Sequence, residues 1–115
     1  MLLIYRVTSG DALDSAEEAR ILAQHRALQR ESAEQGELHA VARLVDTPEA
    51  KTVKFSSTGE HEVVDGPYIE TKEWLVGFYL LDCADEAQAI ERAKRICPSG
   101  EHAIELRPVL WHKTG

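Results

Sequence analysis

Pairs of metal ligands are missing from this sequence. Its two cysteines, Cys83 and Cys97, do not form a Cys-x-x-Cys motif, and its five histidines show neither His-x-His nor His-x-x-x-His spacing. Such spacings are typical of zinc sites and of redox-active cysteines. The sequence therefore predicts no metal, and both cysteines are expected to be small buried side chains rather than a disulfide or ligands.

Long apolar runs and an excess of positive charge are also missing. No segment approaches the roughly 20 apolar residues that a membrane-spanning helix requires, and the opening MLLIYRVTSG has no basic region before its short apolar run. We therefore expect no membrane association, no signal peptide and a cytoplasmic location. The 13 basic residues are outnumbered by 20 acidic ones, for a net charge of −7, which argues against direct nucleic-acid binding.

Motifs of the common cofactor and nucleophile sites are absent as well. The chain has no glycine-rich phosphate loop and no nucleophile motif, so no cofactor is expected. Its composition, 43% hydrophobic and 29% charged, is ordinary for a globular protein. Because 115 residues is close to the commonest domain size, residues 1–115 are interpreted as a single domain.

Hydrophobic periodicity and turn signals divide the chain into strands and helices. The sequence predicts strands at 1–7, 38–45, 76–82 and 102–110, a first helix at 15–35, a second helix between Asp85 and Pro98, and a β-hairpin at 52–64. Ser15 with Glu18, and Asp85 with Gln88, form patterns that cap helix starts.

Two patterns predict which side chains share a face. In the first helix, a buried stripe is expected at i, i+4, i+7 and i+11, comprising Ile21, His25, Leu28 and Ser32. In the second strand, strict alternation would place four apolar residues on one side, namely Leu38, Ala40, Ala42 and Leu44.

The order of the elements is β-α-β, a hairpin, and β-α-β. Two split βαβ units with both helices on one face of an antiparallel sheet make an α+β fold of the ferredoxin-like type, here with an inserted hairpin. The other face would carry residues such as Val41, Val45, Phe78 or Tyr79, depending on register. Because an apolar open face usually has a partner, we expect a homodimer that packs sheet against sheet.

A family resemblance is carried by residues 65–82, DGPYIETKEWLVGFYLLD. This stretch resembles the signature of the DGPF domain, a branch of the YciI-like (YCII-related) family, in which a DGPF-x-E-TKE block precedes a Gly-Phe or Gly-Tyr strand. The similarity extends from LLIYR through HRALQRESAEQGEL and TVKF to IELRPV, and so covers nearly the whole chain. Tyr68 stands where the family usually has Phe.

The resemblance implies both an architecture and candidate chemistry. It implies a ferredoxin-like fold assembled as a dimeric α/β barrel. In the YciI branch, a histidine on the first helix and a nearby acid are proposed as a catalytic pair. One relative is a dehydrochlorinase that acts on a chlorinated hydroxyquinol, whereas some related domains are fused to sigma factors.

The candidate catalytic residues are a histidine and a carboxylate. His25 matches the position of the YciI histidine, and on an apolar stripe it is either a core residue or the base of a pocket between helix and sheet. As a base it suits proton transfer, because the pKa of histidine is near 6.5 in model peptides. By the resemblance, the acid falls at 70–73, with Glu70 preferred. Asp65 is the alternative, and it can instead cap the turn that it begins.

The segment DGPYIETKE also supplies candidate substrate-binding residues, Tyr68, Lys72 and Glu73. Tyr68 and Lys72 are candidates for holding an anionic or phenolic substrate. The alternative is a solvated rim, in which Lys72 pairs with a neighbouring glutamate and contributes little. Gly77, in the following strand, is interpreted as a place where another backbone approaches closely.

Three functions remain open at this stage. The chain could be a cofactor-independent small-molecule enzyme, of the proton-transfer lyase or dehydrochlorinase kind, that uses a His–carboxylate pair. It could be a small-ligand-binding or regulatory dimer linked to sigma-factor transcription, or a structural dimer with no ligand. The fold alone does not separate them, because ferredoxin-like scaffolds host many functions.

Overall fold

The fold contains the predicted elements in the predicted order. The computed structural model of the chain describes residues 1–7, 15–45, 49–67, 73–98, 100, 102–110 and 113. Its elements are β1 (Leu2–Val7), α1 (Ser15–Glu34), β2 (Leu38–Arg43), β3 (Lys51–Phe55), β4 (His61–Asp65), β5 (Glu73–Leu81), α2 (Glu86–Arg95) and β6 (His102–Leu106). Neither helix is long and apolar enough, over the described residues, to cross a membrane.

The strands form two antiparallel sheets. Four of them pair in the order β2-β5-β1-β6, and β3 pairs with β4 in a separate hairpin. Both predictions, an α+β fold and an inserted hairpin, are thus confirmed. The position of β5 between β1 and β2 is consistent with a split βαβ unit of the ferredoxin-like kind.

The helix ends follow the sequence signals. At the start of α2, the Gln88 amide donates to the Asp85 side chain over 2.8 Å, and the Ala84 amide donates to the Gln88 side chain over 2.6 Å. This reciprocal arrangement satisfies amide groups that a helix leaves without intrahelical partners. After α1, Gly36 has φ 74°, a left-handed conformation that glycine adopts without steric cost. The capping prediction for Asp85 and the role of Gly36 are confirmed.

The core lies between the helices and one face of the four-stranded sheet. It consists of Leu2, Ile4, Leu28, Tyr79, Ala93 and Ile96. Ile21, Leu28 and Ser32 are all buried on α1, so the predicted stripe is confirmed on either side of His25. Ser32 is accommodated because its hydroxyl donates to the Leu28 carbonyl over 2.6 Å.

Strand register decides which residues face the helices. Tyr79 lies opposite Leu2 and Val41, on the core side, whereas Phe78 lies opposite Leu3 and Ala42, on the other side. Of the residues considered for the open face, Phe78 is therefore on it and Tyr79 is not.

The simple alternation expected in the second strand is wrong. The pairing of β2 with β5 shifts between Leu38 and Ala40, so an extra residue changes which side chains point to the core. Leu38 packs against the core, while Ala40 pairs with Leu80 and Ala42 pairs with Phe78. The bulge thus places Leu38 on the opposite face from Ala40 and Ala42, although strict alternation would have placed all three together.

Gly77 is a point of close approach, as predicted. A Cβ atom there would lie 2.7 Å from the Ala42 carbonyl oxygen, a distance that side-chain carbons do not tolerate. The pairing of β1 with β5 also shifts nearby, between Ile4 and Tyr5. The absence of a side chain at Gly77 therefore lets β2 pack against an irregular part of β5.

The β3–β4 hairpin exposes apolar side chains to solvent. Val53 lies opposite Val63, and these residues are 64% and 65% exposed, while Phe55 is 69% exposed. The hairpin base is tied by a hydrogen bond from the Thr52 hydroxyl to the Gly66 carbonyl over 2.7 Å. Gly66 has φ 100°, so the predicted turn at Asp-Gly-Pro requires glycine.

Candidate functional site

His25 lies where α1 crosses the sheet, and its ring contacts Tyr79. The His25 Nδ1 atom is 2.8 Å from the Tyr79 hydroxyl, and the two rings stack with centroids 5.7 Å apart. Gln29, one helical turn after His25, donates its side-chain amide to the same hydroxyl over 3.1 Å. His25 is half-buried, whereas Tyr79 is buried in the core. The helix and β5 thus hold the imidazole in one orientation.

The hydrogen-bond geometry favours one protonation pattern for this group. The Tyr79 hydroxyl accepts from Gln29 and has one hydrogen to donate, either to His25 Nδ1 at 2.8 Å or to the His25 carbonyl at 3.5 Å. The shorter contact is the better bond. A neutral imidazole that accepts at Nδ1 carries its proton on Nε2, so His25 can present a donor to a ligand. If Tyr79 instead donates to the carbonyl, Nδ1 donates to Tyr79 and Nε2 becomes a base.

The electrostatics keep both groups neutral near pH 7. Burial lowers the pKa of His25, and the positive charges of His102 and Arg43 lower it further. Burial raises the pKa of Tyr79, against a smaller opposite effect of the Gln29 hydrogen bond. A neutral histidine near pH 7 is the form required of a general base or a neutral hydrogen-bond donor.

The strands explain why basic residues lie near His25. Arg43 ends β2 opposite Gly77, two positions from the Val41–Tyr79 pair and therefore on the same face. His102 begins β6 opposite Arg6. His102 and Ile104 are two positions apart, and Ile104 packs against the core, so His102 shares the helix-covered face. Arg43 and His102 thus lie at the same end of the four-stranded sheet.

Two acidic residues were predicted as partners of His25, and only Asp65 lies among the described residues. Asp65 ends β4 and accepts from the Lys51 ammonium across the hairpin. Within the described part of the chain, neither a hydrogen bond nor an ion pair joins His25 to a carboxylate. Glu70 lies outside the described residues, so its pairing with His25 stays a prediction.

The predicted substrate-binding residues precede or begin β5. Tyr68 and Lys72 lie outside the described residues, as does the side chain of Glu73. The Glu73 backbone pairs with Val7, so the chain enters β5 at the same end of the sheet where Arg43 and His102 lie. The structure therefore brings the end of the DGPYIETKE segment to the end of the sheet that carries the basic residues.

The opposite end of the sheet contains an ion pair between the two helical regions. Arg92 on α2 contacts Glu37, just before β2, with an Nη2–Oε1 distance of 3.3 Å. Their side chains are only 13% and 14% exposed. Although burial lowers the pKa of Arg92, its bonds to Glu37 and Glu91 outweigh this and raise it. Arg92 and Glu37 thus each have an oppositely charged partner.

A cavity of about 630 Å³ lies near this ion pair, away from His25. Its lining includes Leu81, Asp82, Cys83, Glu86 and Arg107. Burial, and then the charge of Glu37, raise the pKa of Cys83, so its thiol is a poor nucleophile near pH 7. Neither His25 nor Asp65, the predicted catalytic residues that the structure describes, lines this cavity.

No metal centre is apparent in the part of the chain that the structure describes, because no three histidine, cysteine or acidic side chains there are grouped to hold an ion. Cys97 donates its thiol to the His102 carbonyl over 3.3 Å. Both cysteines are partly buried and neither is in a disulfide.

Sequence reasoning missed several residues of the site. Tyr79, Gln29, Arg43 and His102 were not among the candidates. Gln29 could have been found, because a residue four positions after His25 lies on the same side of the helix. Tyr79 is a polar ring in an apolar strand, and a buried tyrosine hydroxyl normally has a hydrogen-bond partner. Arg43 and His102 could not be placed without the strand register.

The fold and the site together define a small α+β protein with a half-buried histidine held between a helix and an antiparallel sheet. A family model described as the YCII-related domain matches residues 1–112. An uncharacterized protein of Rhizobium meliloti (strain 1021) is 41% identical over 106 residues, which cover 90% of this chain and 85% of that protein. The chain belongs to the YCII-related family.

Proposed function

We propose that this chain is a cofactor-independent small-molecule enzyme that transfers a proton at His25, as a lyase of the dehydrochlorinase kind would. The observation that carries the proposal is the hydrogen bond of 2.8 Å between His25 Nδ1 and the buried Tyr79 hydroxyl. It orients the ring, and no hydrogen bond to Nε2 is found among the described residues. Because a hydroxyl can both donate and accept, Tyr79 supports the imidazole in either neutral tautomer.

The carboxylate of the proposed pair is Glu70. Asp65, the alternative, has the Lys51 ammonium as its partner at an exposed position, which favours Glu70. Tyr68, Lys72 and Glu73 complete the proposed site as substrate-binding residues, because the chain that contains them enters β5 at the end of the sheet that carries Arg43. This assignment agrees with the DGPF-type motif at 65–73.

The test begins with a search for a ligand. A metabolite library is screened by thermal shift, since a ligand that binds only the native state must stabilise it. Each hit is then incubated with the protein in D₂O, and incorporation of deuterium or loss of a leaving group is followed. For a true substrate, His25→Gln should lower the rate by about 10²–10⁴-fold, the usual contribution of general acid–base catalysis.

The matched control is His61→Gln, at an exposed histidine of the hairpin. It makes the same substitution away from the site and should leave the rate unchanged. Equal rates for wild type and His25→Gln, with the fold intact, would refute proton transfer at His25.

A second function is favoured by the protonation pattern of His25. With its proton on Nε2, His25 is a hydrogen-bond donor, which suits binding without proton transfer. The alternative is therefore a small-ligand-binding or regulatory module, of the kind linked to sigma factors. Hits that bind wild type and not His25→Gln, yet show no exchange or turnover, would favour this module over the enzyme.

We also propose that the chain forms a homodimer, assembled through the open face of the sheet as a dimeric α/β barrel. Leu3, Phe78 and Leu80 lie on the face opposite to both helices, by their register with neighbouring strands. Sheet-to-sheet packing would remove these side chains from water. Specific interfaces usually bury about 1,200–2,000 Å² in total, an area that one face of a four-stranded sheet can supply.

Light scattering tests the dimer directly. Wild type should have about twice the chain mass of 12.8 kDa, and Phe78→Glu should have the mass of one chain, because it puts a charge at the centre of the open face. Val53→Glu, on the exposed hairpin, is the control and should remain dimeric. A monomeric wild type at micromolar concentration would exclude the dimer.

A further inference from the structure

Gln29 and His25 lie on the same side of α1, and both contact the Tyr79 hydroxyl. The two helix residues are four positions apart, so their side chains are neighbours one turn from each other. The Gln29 side-chain amide donates to the hydroxyl over 3.1 Å, and His25 Nδ1 is 2.8 Å from the same oxygen. Tyr79 is buried, whereas Gln29 and His25 are half-buried. One buried oxygen atom is thus shared by two side chains of the helix.

We propose that Gln29 is a positioning residue that selects the tautomer of His25, and that it acts through the Tyr79 hydroxyl. The selected tautomer carries its proton on Nε2 and accepts a hydrogen bond at Nδ1. The inference deepens the proposed function and rests on it, because it takes the His25 ring as the group that meets the substrate. It adds the residue that determines whether this ring presents a donor or an acceptor at Nε2.

The Tyr79 hydroxyl has a single hydrogen to donate, and its oxygen also accepts. The amide nitrogen of Gln29 can only donate, so the hydroxyl is the acceptor in that contact. The hydroxyl hydrogen therefore remains for His25, where Nδ1 at 2.8 Å is closer than the backbone carbonyl at 3.5 Å. When Nδ1 accepts this hydrogen, the proton of the neutral ring lies on Nε2.

In the opposite tautomer, two donors would point at the Tyr79 oxygen. The Nδ1–H group of His25 and the amide of Gln29 would both donate to it, and the hydroxyl hydrogen would turn to the His25 carbonyl at 3.5 Å. A contact of that length is at most a weak hydrogen bond. Poor pairing of a polar group is costly at a buried position. Gln29 thus disfavours this tautomer because it already occupies the hydroxyl oxygen as a donor.

The choice of tautomer matters because the ring is neutral near pH 7. Burial lowers the pKa of His25 and raises the pKa of Tyr79, so neither the imidazolium nor the phenolate is favoured. A neutral imidazole with its proton on Nε2 donates a hydrogen bond to an acceptor of the substrate, such as a carbonyl oxygen. Removal of a substrate proton by Nε2 requires the opposite tautomer. Gln29 therefore controls which of these two roles His25 has when the substrate binds.

The experiment replaces the donor at position 29 by an acceptor. In Gln29→Glu, the carboxylate should accept from the Tyr79 hydroxyl in a charge-assisted hydrogen bond. The hydroxyl oxygen should then accept from Nδ1–H of His25, which leaves Nε2 unprotonated. The ratio of the two tautomers should change about tenfold or more, as expected for a hydrogen bond to a charged group.

NMR of ¹⁵N-labelled histidine measures this ratio, because protonated and unprotonated ring nitrogens have different shifts. Spectra are recorded above the pKa of His25 in each variant, so that the ring is neutral, and the His25 signals are assigned by their loss in His25→Gln. Wild type should have a protonated Nε2 and an unprotonated Nδ1. Gln29→Glu should have the reverse, and its backbone amide spectrum reports whether it is folded.

Two controls separate an effect through Tyr79 from a general effect of charge. Gln24→Glu makes the same substitution at an exposed glutamine of α1, next to His25 in the chain, and should keep the wild-type tautomer. In a Tyr79→Phe background, Gln29→Glu should change the ratio much less, because the hydroxyl that connects the two helix side chains is missing.

Four results would overturn the inference. They are a proton on Nδ1 in wild type, an unchanged ratio in folded Gln29→Glu, an equal change caused by Gln24→Glu, and an equal change in the Tyr79→Phe background. The first result needs no variant at position 29, so the inference can be contradicted even if Gln29→Glu does not fold.

These readouts require no turnover, so the inference and the proposed function can fail separately. If the tautomer depends on Gln29 but no library compound reacts, the positioning role stands and the enzyme proposal fails. If His25→Gln abolishes turnover of a substrate while Gln29→Glu leaves the tautomer of His25 unchanged, the enzyme proposal stands and the positioning role fails.

Discussion

Charged groups are arranged differently at the two ends of the four-stranded sheet. At one end, Arg92 and Glu37 are both mostly buried, and each neutralises the other. At the other end, His25 contacts an uncharged hydroxyl while Arg43 and His102 add positive charge around it. The Arg92–Glu37 ion pair links α2 to the start of β2, and a buried pair of this kind requires both of its charges. At the His25 end, a half-buried imidazole held by a neutral hydroxyl is instead what the proposed proton-transfer site requires.

The largest expected effect is at the end of the sheet that carries the Glu37–Arg92 ion pair. Arg92→Ala leaves the Glu37 carboxylate buried without its main partner, and the free energy of unfolding should fall by about 2–4 kcal/mol. Urea denaturation measures this loss. The Arg92→Ala substitution should leave the His25 NMR signal of the folded protein unchanged.

Arg30→Ala is the control for this prediction, because Arg30 is an exposed arginine on α1. It should change stability by less than about 0.5 kcal/mol. If Arg92→Ala were as mild as Arg30→Ala, the Glu37–Arg92 pair would not be a structural link, and the contrast between the two ends would lose its basis.

An intermediate effect is expected at the end of the sheet that carries His25. Tyr79→Phe removes the hydroxyl that contacts His25 Nδ1 and accepts from Gln29. Stability should fall by about 1–2 kcal/mol, because partly buried polar groups lose their partner. The ¹⁵N shifts of His25 should also change, since nothing then selects the tautomer.

Tyr5→Phe is the matched control, because Tyr5 pairs with Leu75 and Ala103 on the face opposite to His25. It should leave both stability and the His25 signals nearly unchanged. Unaltered His25 shifts in Tyr79→Phe would show that the tyrosine does not orient the imidazole.

The smallest effect is a dependence of stability on pH. The pKa of His25 is lowered in the folded state, so between the folded pKa and the unfolded value near 6.5 the unfolded chain binds more protons. The free energy of unfolding should therefore decrease as the pH falls from about 7 through the folded pKa. Urea midpoints at several pH values should show a steeper decrease for wild type than for His25→Gln, and parallel curves would exclude this contribution.

Much of the fold follows from local signals. The element order, the cap at Asp85, the stripe through His25 and the close approach at Gly77 were all predicted. Each depends on residues near one another in the chain, such as the 3.6-residue periodicity of a helix or the amides of one helical turn.

The site was harder to predict because its parts are distant in sequence. His25 and Tyr79 are 54 positions apart, and their contact requires the register of β5. That register contains a shift against β1 and another against β2, and each shift reverses the face of later residues. Alternation in the sequence shows no such shifts, so Tyr79 could not be assigned to the helix side, nor Arg43 and His102 to the surroundings of His25.

The close approach at Gly77 also limits how the sheet can assemble. If β5 slipped by one residue against β2, Val76 or Phe78 would face the Ala42 carbonyl, where a Cβ atom would be only about 2.7 Å from the oxygen. The same slip would turn Tyr79 to the opposite face. A one-residue slip is therefore disfavoured by steric repulsion at this point, and the observed β2–β5 pairing is the one that brings the tyrosine hydroxyl to His25.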